Sequence, residues 1–260
     1  MTITNTNRDN SLDILRIVAC MMVIMMHSPV PLAEGKSPLL GAISYLMAPC
    51  NGLFFMASGA LLFGRGLPFG QFLKKRLGRI VWPVCAWSVV YILINKKIGW
   101  VEQLLWVPFY RTDACGYLWF MYALLGCYFL VPIVEPWLMK SSRRVLLMVV
   151  SYKQSGLGVN VNCYLHPYVI LLSFVVFASI KKLFAQYHPK SNVLVSLSSC
   201  TFGVYLIHSL LLNTFLKQQD ILNELPIELG ILSRWGLTVL IGFSIMLLLR
   251  KIPGHKYLIG

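Results

Sequence analysis

Long runs of apolar residues dominate the chain and predict its secondary structure. A helix needs about 20 mostly apolar residues to cross the hydrocarbon core of a bilayer. The stretches that reach or approach this length are residues 12–30, part of 37–64, 80–95, 116–134, about 163–180, about 193–216 and 229–249. The pattern predicts an all-α fold, a polytopic transmembrane helix bundle of about seven or eight spanning helices. We expect residues 1–260 to form a single integral-membrane domain.

The composition excludes the soluble classes of protein. Hydrophobic residues make up 57% of the chain and charged residues only 12%, whereas a soluble domain carries about 25% charged residues. So few charged side chains cannot cover a water-facing surface of this size. The chain is therefore not a soluble enzyme, a secreted disulfide scaffold or a disordered protein. Its mean hydropathy of +0.70 also indicates a membrane protein.

Charge and cysteine content narrow the possible partners. The chain has 23 Lys and Arg against 9 Asp and Glu, a formal net charge of +14. In a membrane protein this excess is typical of cytoplasmic loops, so we expect no nucleic-acid partner. The seven cysteines form no CxxC pair and lie mostly in apolar runs. We expect them to be buried thiols, with neither a disulfide framework nor a metal site.

The basic residues predict a topology that is regular only in the first half of the chain. With a cytoplasmic N-terminus, the basic loops after the second and fourth spans both lie inside, as expected. A fifth span that starts inside would then place Lys181 and Lys182 outside. An odd number of additional crossings between Arg144 and Cys163 would return Lys181 and Lys182 to the cytoplasmic side, where basic residues are expected. The candidate crossing there, residues 145–158, is marginal in length for a span, so the segment is either a short, distorted helix or a place where sequence is missing.

Ionisable residues share one face of the first predicted helix. Because each residue advances about 100° around an α-helix, Arg16 and His27 lie at about 300° and 320° from Asp13. Asp13 and Arg16 can pair, whereas His27 lies about 21 Å further along the axis, beyond direct contact with Asp13. Ionisable groups inside spans usually face a cavity or the bundle interior. His27 is therefore either a functional residue or a histidine that is hydrogen-bonded for packing.

Polar residues in three other segments also have two interpretations each. Arg76 and Arg79, three residues apart, either recognise phosphate or anchor the chain at lipid headgroups. Ser58 is a possible nucleophile, but no partner base lies near it in the sequence. The sixth predicted span carries a polar stripe, made of Ser198, Thr201, Tyr205 and His208. This stripe either lines a cavity or forms hydrogen bonds between helices.

Several sequence motifs, taken in their order along the chain, resemble those of the acyltransferase-3 family of bacterial membrane acyltransferases. The resemblance is strongest to the O-acetyltransferase type of this family. The motifs are LDILRIVA at 12–19 leading to Met26-His27, FFMASG at 54–59, RLGR at 76–79 followed by Pro83, YLWFMY at 117–122 followed by LVP at 130–132, and SCTFGVYLIH at 199–208. Members of this family have more spans than are predicted here. The shortfall lies between about residues 145 and 162, which is also where the predicted topology stops placing the basic residues on the cytoplasmic side. We therefore expect that spans are missing from that segment, either through an internal deletion or because the chain is a diverged short member of the family.

The resemblance implies a reaction and a set of site residues. An acyl group, acetyl by default, would pass from acyl-CoA to a hydroxyl or amine of a cell-envelope glycan or its lipid-linked sugar precursor. His27 matches the family's essential histidine and would take the acceptor's proton, a task that suits imidazole. The arginines that match the family, expected to bind acyl-CoA, are Arg16, Arg76 and Arg79. The residues expected to line the cavity are Asp13, Ser58, Tyr205 and His208.

The resemblance also implies a setting, and it leaves alternatives open. It implies a multi-pass protein of the bacterial cytoplasmic (inner) membrane, surrounded by lipid, with acetyl-CoA as donor substrate and no bound cofactor. The first alternative is an inactive, truncated remnant of the family. The second is a small-solute transporter that uses the polar stripes as a path, although no internal repeat is visible between the two halves. The third is a membrane module that needs a partner to complete its bundle.

Overall fold

The computed structural model shows a helical protein. It describes residues 9–29, 42–43, 46–62, 69–95, 99–107, 116, 118–140, 167–184 and 192–259. Within these ranges there is no strand, so the prediction of an all-α fold is confirmed. The candidate crossing at 145–158 lies outside the described residues, as do Arg144 and Cys163.

Each predicted span overlaps one of the described helices. The α-helices are α1 (Asn10–His27), α2 (Cys50–Leu62), α3 (Phe69–Asn95), α4 (Trp100–Trp106), α5 (Trp119–Lys140), α6 (Pro167–Leu183), α7 (Asn192–Leu210), α8 (Asp220–Asn223), α9 (Ile227–Leu249) and α10 (Lys256–Ile259). Among the described residues, four helical stretches are long and apolar enough to cross a membrane, namely Asn10–His27, Gly70–Asn95, Asn192–Gln218 and Ile227–Leu249. The protein is therefore a helical membrane bundle.

Helix α1 begins at a side-chain cap that also ties it to α6. The Asp9 carboxylate accepts a hydrogen bond from the Ser11 backbone N–H at 3.1 Å, which satisfies one of the free donors of the first turn. Asp9 also forms an ion pair with Lys181, near the end of α6. Burial raises the pKa of Asp9, but the contacts from Lys181 and Ser11 outweigh it and hold the pKa below the ordinary value of 3.8.

Helices α1 and α7 run parallel through the centre of the bundle. Near the start of both helices, the Ser198 hydroxyl donates to the Asp13 carboxylate at 2.6 Å. Further along, the Cys20 thiol donates to the Thr201 carbonyl at 3.6 Å. At their far ends, the rings of His27 and His208 stack. Residues separated by most of the sequence therefore meet along one seam.

Helices α6 and α9 run opposite to this central pair. In the first half of α9, the Trp235 indole donates to the Met21 carbonyl at 3.0 Å. Just after the end of α9, Arg250 donates to the Ser199 hydroxyl at 2.6 Å. Lys181 likewise lies beside the start of α1. The end of α6 is thus at the same end of the bundle as the start of α1. This is the arrangement expected if an odd number of crossings lies between Arg144 and Cys163.

A side chain from α3 contacts α7 where that helix changes its geometry. The Tyr91 hydroxyl donates to the Leu206 carbonyl and accepts from the Leu210 N–H, each at 3.0 Å. An uninterrupted α-helix would join these two backbone groups to each other. Directly afterwards α7 continues as a π-helix, Leu211–Phe215, and a 3-10 turn, Leu216–Gln218. A side chain inserted into the helical ladder is a recognised cause of such irregularities.

Glycines allow α7 and α9 to approach closely. A Cβ atom on Gly203 would lie 2.3 Å from the Met246 sulfur, and one on Gly242 would lie 3.2 Å from a Val204 methyl. Small residues at such contacts are typical of helix packing in membranes. The close contact fixes α7, which carries several of the predicted site residues.

Candidate functional site

A cavity of about 220 Å³ opens among the helices near the start of α1 and of α7. Its walls come from α1, α2, α3, α5, α7 and α10. The residues that line it are Arg16, Phe54, Ala57, Ser58, Leu61, Leu62, Arg79, Ile80, Phe120, Met121, Leu124, Tyr128, Ser199, Thr201, Phe202, Tyr205 and Ile259. The cavity is therefore built by both halves of the chain.

The cavity is positively charged. Arg16 and Arg79 contribute guanidinium groups, and none of the described lining residues carries a carboxylate. Arg16 is half-buried on α1, and Arg79 is exposed on α3. Guanidinium groups form paired hydrogen bonds with phosphate and carboxylate oxygens. An anionic ligand therefore suits this end of the cavity.

Arg250, which was not predicted as a site residue from the sequence, contacts a residue of the cavity wall. Arg250 follows α9 and donates to the hydroxyl of Ser199, which itself lines the cavity. The same guanidinium donates to the Ser196 carbonyl at 3.2 Å. Its sequence position gave no signal, because a basic residue after the last span is the ordinary pattern of a topology anchor.

The predicted arginine pair lies on one helix. Arg76 and Arg79 both fall within α3, so they are neighbours about one turn apart on its surface. Arg79 reaches the cavity. The Arg76 side chain lies outside the described part of the chain, so its prediction as an acyl-CoA-binding residue stays a prediction.

The predicted histidines form a stacked pair. The ring centroids of His27 and His208 are 5.2 Å apart and the ring planes are inclined by 25°. His208 is completely buried, and its Nδ1 lies 2.5 Å from the Tyr205 carbonyl oxygen. Because a carbonyl oxygen only accepts hydrogen bonds, we assign the proton to Nδ1, which leaves the lone pair of the neutral ring on Nε2.

Tyr205 connects the cavity with this histidine pair. Its ring lines the cavity and lies 5.3 Å, centroid to centroid, from the ring of His208. Neither His27 nor His208 is among the lining residues. In the described structure, the ring contacts therefore run from the cavity-lining Tyr205 to the buried His208, and from His208 to the partly buried His27.

The residues expected to line the cavity divide into two groups. Ser58 and Tyr205 are part of its wall. Asp13 and His208 lie behind the wall instead, for different reasons. Asp13 is buried and accepts a hydrogen bond from Ser198, so it joins α1 to α7. His208 is covered on the cavity side by Tyr205.

The comparison with known families matches the first half of the chain. Residues 9–152 match a family model described as "Acyltransferase domain". This region is more than half of the chain and contains Arg16, His27 and Arg79. It ends before α7, which carries Tyr205 and His208. No curated protein and no solved structure gave a significant match.

Proposed function

Because the chain belongs to the acyltransferase-3 family of membrane acyltransferases, we propose that it transfers an acyl group from acyl-CoA to a hydroxyl or amine. The acyl group is acetyl, and the acceptor is a cell-envelope glycan or its lipid-linked precursor. The observation that carries the proposal is a cationic cavity that is connected, through the ring of Tyr205, to a stacked pair of histidines, the buried His208 and the partly buried His27. The arginine that would recognise the donor and the histidine that would transfer the proton thus lie on the same helix, about 16 Å apart along its axis.

The cavity suits the donor. Acyl-CoA is a phosphate-rich molecule whose thioester lies at the end of a long, flexible arm. Arg16 and Arg79 bind phosphate groups at the charged end of the cavity. Arg250, which donates to Ser199, adds positive charge behind the wall. We assign this end of the bundle to the cytoplasm, where acyl-CoA is found, because the ends of α6 and α9 bring further basic residues to it.

His27 performs the proton transfer. As the acceptor oxygen or nitrogen attacks the thioester carbon, His27 takes the acceptor's proton. The new bond to the acyl carbon forms, the carbon–sulfur bond breaks, and His27 returns the proton to the sulfur of CoA. His208 acts as a positioning residue, because its ring stacks on His27 and is itself held by the Tyr205 carbonyl.

The proposed setting is the bacterial cytoplasmic membrane. The four long apolar helices of the described residues suit a multi-pass protein surrounded by lipid. With the start of α1 in the cytoplasm, His27 lies in the outer half of the membrane. An acceptor on the outer side of the membrane and a donor on the inner side can then meet at the histidine pair.

Acetyl transfer in membranes tests this proposal directly. Membranes that contain the chain receive labelled acetyl-CoA, beside the variants His27→Ala and His255→Ala at matched expression. His255 is a partly exposed histidine outside the site, so it is the matched control. We expect label on an acceptor with the wild-type chain and with His255→Ala, and a loss of about 100-fold or more with His27→Ala. Equal background in all three membranes would contradict the proposal and favour an inactive remnant.

A further inference from the structure

Rings from three helices meet at the inner end of the cavity. Phe54 of α2 lies 6.1 Å from Phe120 of α5, and both contact Tyr205 of α7, at 6.2 Å and 5.8 Å between centroids. All three side chains line the cavity. We name these residues the aromatic triad.

The aromatic triad is packed tightly. Phe120 is 1% exposed and Tyr205 is 4% exposed, while Phe54 is half-buried. The ring of Phe120 also contacts those of Phe55 and Trp119, at 4.7 Å and 6.1 Å. Because protein interiors are close-packed, extra volume at this point displaces neighbouring side chains and costs free energy.

The aromatic triad lies between the charged end of the cavity and the proposed catalytic histidine. Tyr205 contacts His208, which in turn stacks on His27. The guanidinium groups of Arg16 and Arg79 also line the cavity. A donor whose phosphates bind these arginines must therefore bring its thioester to the aromatic triad in order to approach His27.

The cavity offers little room for an acyl chain at this point. Its volume of about 220 Å³ is below the roughly 300–1,000 Å³ of typical small-molecule pockets. It has room for the thioester end of a donor with a short acyl group. A longer acyl chain that reaches this point would press against the rings of the aromatic triad.

We infer that the aromatic triad selects the acyl group by size, admitting acetyl and rejecting longer chains. This inference rests on the proposed function, because it concerns the donor of that reaction. A hydrophobic pocket discriminates a single methylene group by about 10-fold or more. Phe54, Phe120 and Tyr205 are therefore specificity-determining residues.

Transfer rates from donors of different length test the inference. Membranes with the full chain are assayed with acetyl-CoA and butyryl-CoA, for the wild type, Phe54→Leu and Phe120→Leu. The matched control is Phe55→Leu, because Phe55 also contacts Phe120 but does not line the cavity. We expect the ratio of butyryl to acetyl transfer to rise about 10-fold or more in the two triad variants and to stay unchanged in the control.

The outcomes separate this inference from the proposed function. Active triad variants whose ratio remains at the wild-type value would overturn the inference and leave the proposed function intact. An equal rise in Phe55→Leu would also overturn it, because a general loosening of the core would then explain the change. A wild-type chain that transfers neither group, like His27→Ala, would overturn the proposed function instead. Phe54→Leu carries the test if Phe120→Leu does not fold, since Phe54 is only half-buried.

Discussion

At the scale of single residues, the hydrogen bond of one imidazole ring determines the environment of another. His208 is anchored through Nδ1 to the Tyr205 carbonyl one turn earlier in the same helix. The anchored ring presents a flat face to His27, at 5.2 Å between centroids. A catalytic group is effective only when it is held close to its productive geometry. The stacked ring therefore restricts the orientation of His27.

Replacing His208 tests this positioning role. We expect His208→Ala to lower kcat for acyl transfer by about 100-fold, because His27 loses the surface that orients it. The KM for acyl-CoA should change little, since Arg16 and Arg79 remain in place. His208→Phe keeps a flat ring at the same position and should recover part of the lost kcat. A rise in KM with an unchanged kcat in His208→Ala would contradict a positioning role and indicate a role in donor binding.

At the scale of the helix, one hydroxyl group shapes the segment of α7 that carries His208. The Tyr91 hydroxyl bonds to Leu206 and Leu210, which flank the histidine. The π-helix begins at the next residue, Leu211. The contact therefore joins α3, which carries Arg79, to the part of α7 that faces His27. A change on α3 can in this way alter the histidine pair without touching it.

The variant Tyr91→Phe tests this link between helices. The matched control is Tyr122→Phe, because the Tyr122 hydroxyl donates to the Val107 carbonyl at a similar distance, 2.9 Å. Each variant should lower the free energy of unfolding by about 1–2 kcal/mol, measured as a shift in thermal melting in detergent. Acyl transfer should fall about 10-fold in Tyr91→Phe alone, since only that hydroxyl contacts the backbone beside His208. Equal rates in the two variants would show that the link has no effect on the reaction.

At the scale of the whole molecule, the sequence predicts the helices better than it predicts their contacts. The apolar runs located a helix at every predicted span because hydrocarbon thickness demands long apolar segments. The third helix was expected from residue 80, but α3 begins at Phe69. Basic residues before residue 80 lowered the apolar content without breaking the helix. Their long side chains can extend along a helix towards water while the backbone remains helical.

The candidate site was only partly predictable, for a physical reason. Ionisable residues in apolar spans stand out because their burial is costly, and so Arg16 and His27 could be identified. Arg79 was identified from its spacing to Arg76 and from the family resemblance. Phe54 and Phe120 could not be identified, because an aromatic ring in a span has the same pattern whether it faces lipid, the core or a cavity. Their importance depends on three helices meeting, which is a property of packing and not of local sequence.

The direction of the helices leads to a prediction about the sides of the membrane. Lys181, at the end of α6, pairs with Asp9 at the start of α1, and α7 runs parallel to α1. The acidic segment between α7 and α9, with Asp220 and Glu224, therefore lies at the opposite end of the bundle. This is the arrangement expected when an odd number of crossings lies between Arg144 and Cys163.

Labelling from the two sides of the membrane tests this arrangement. Lys182→Cys and Glu224→Cys, both at exposed positions, are treated with a membrane-impermeant thiol reagent in intact cells and in inverted membrane vesicles. We expect Glu224→Cys to react in intact cells and Lys182→Cys only in inverted vesicles, with the unsubstituted chain measuring the reactivity of its native thiols. Reaction of Lys182→Cys in intact cells would place the end of α6 outside and separate it from the start of α1. Helix α6 would then no longer pack beside α1. An inactive, truncated remnant of the family would become the better description of the chain.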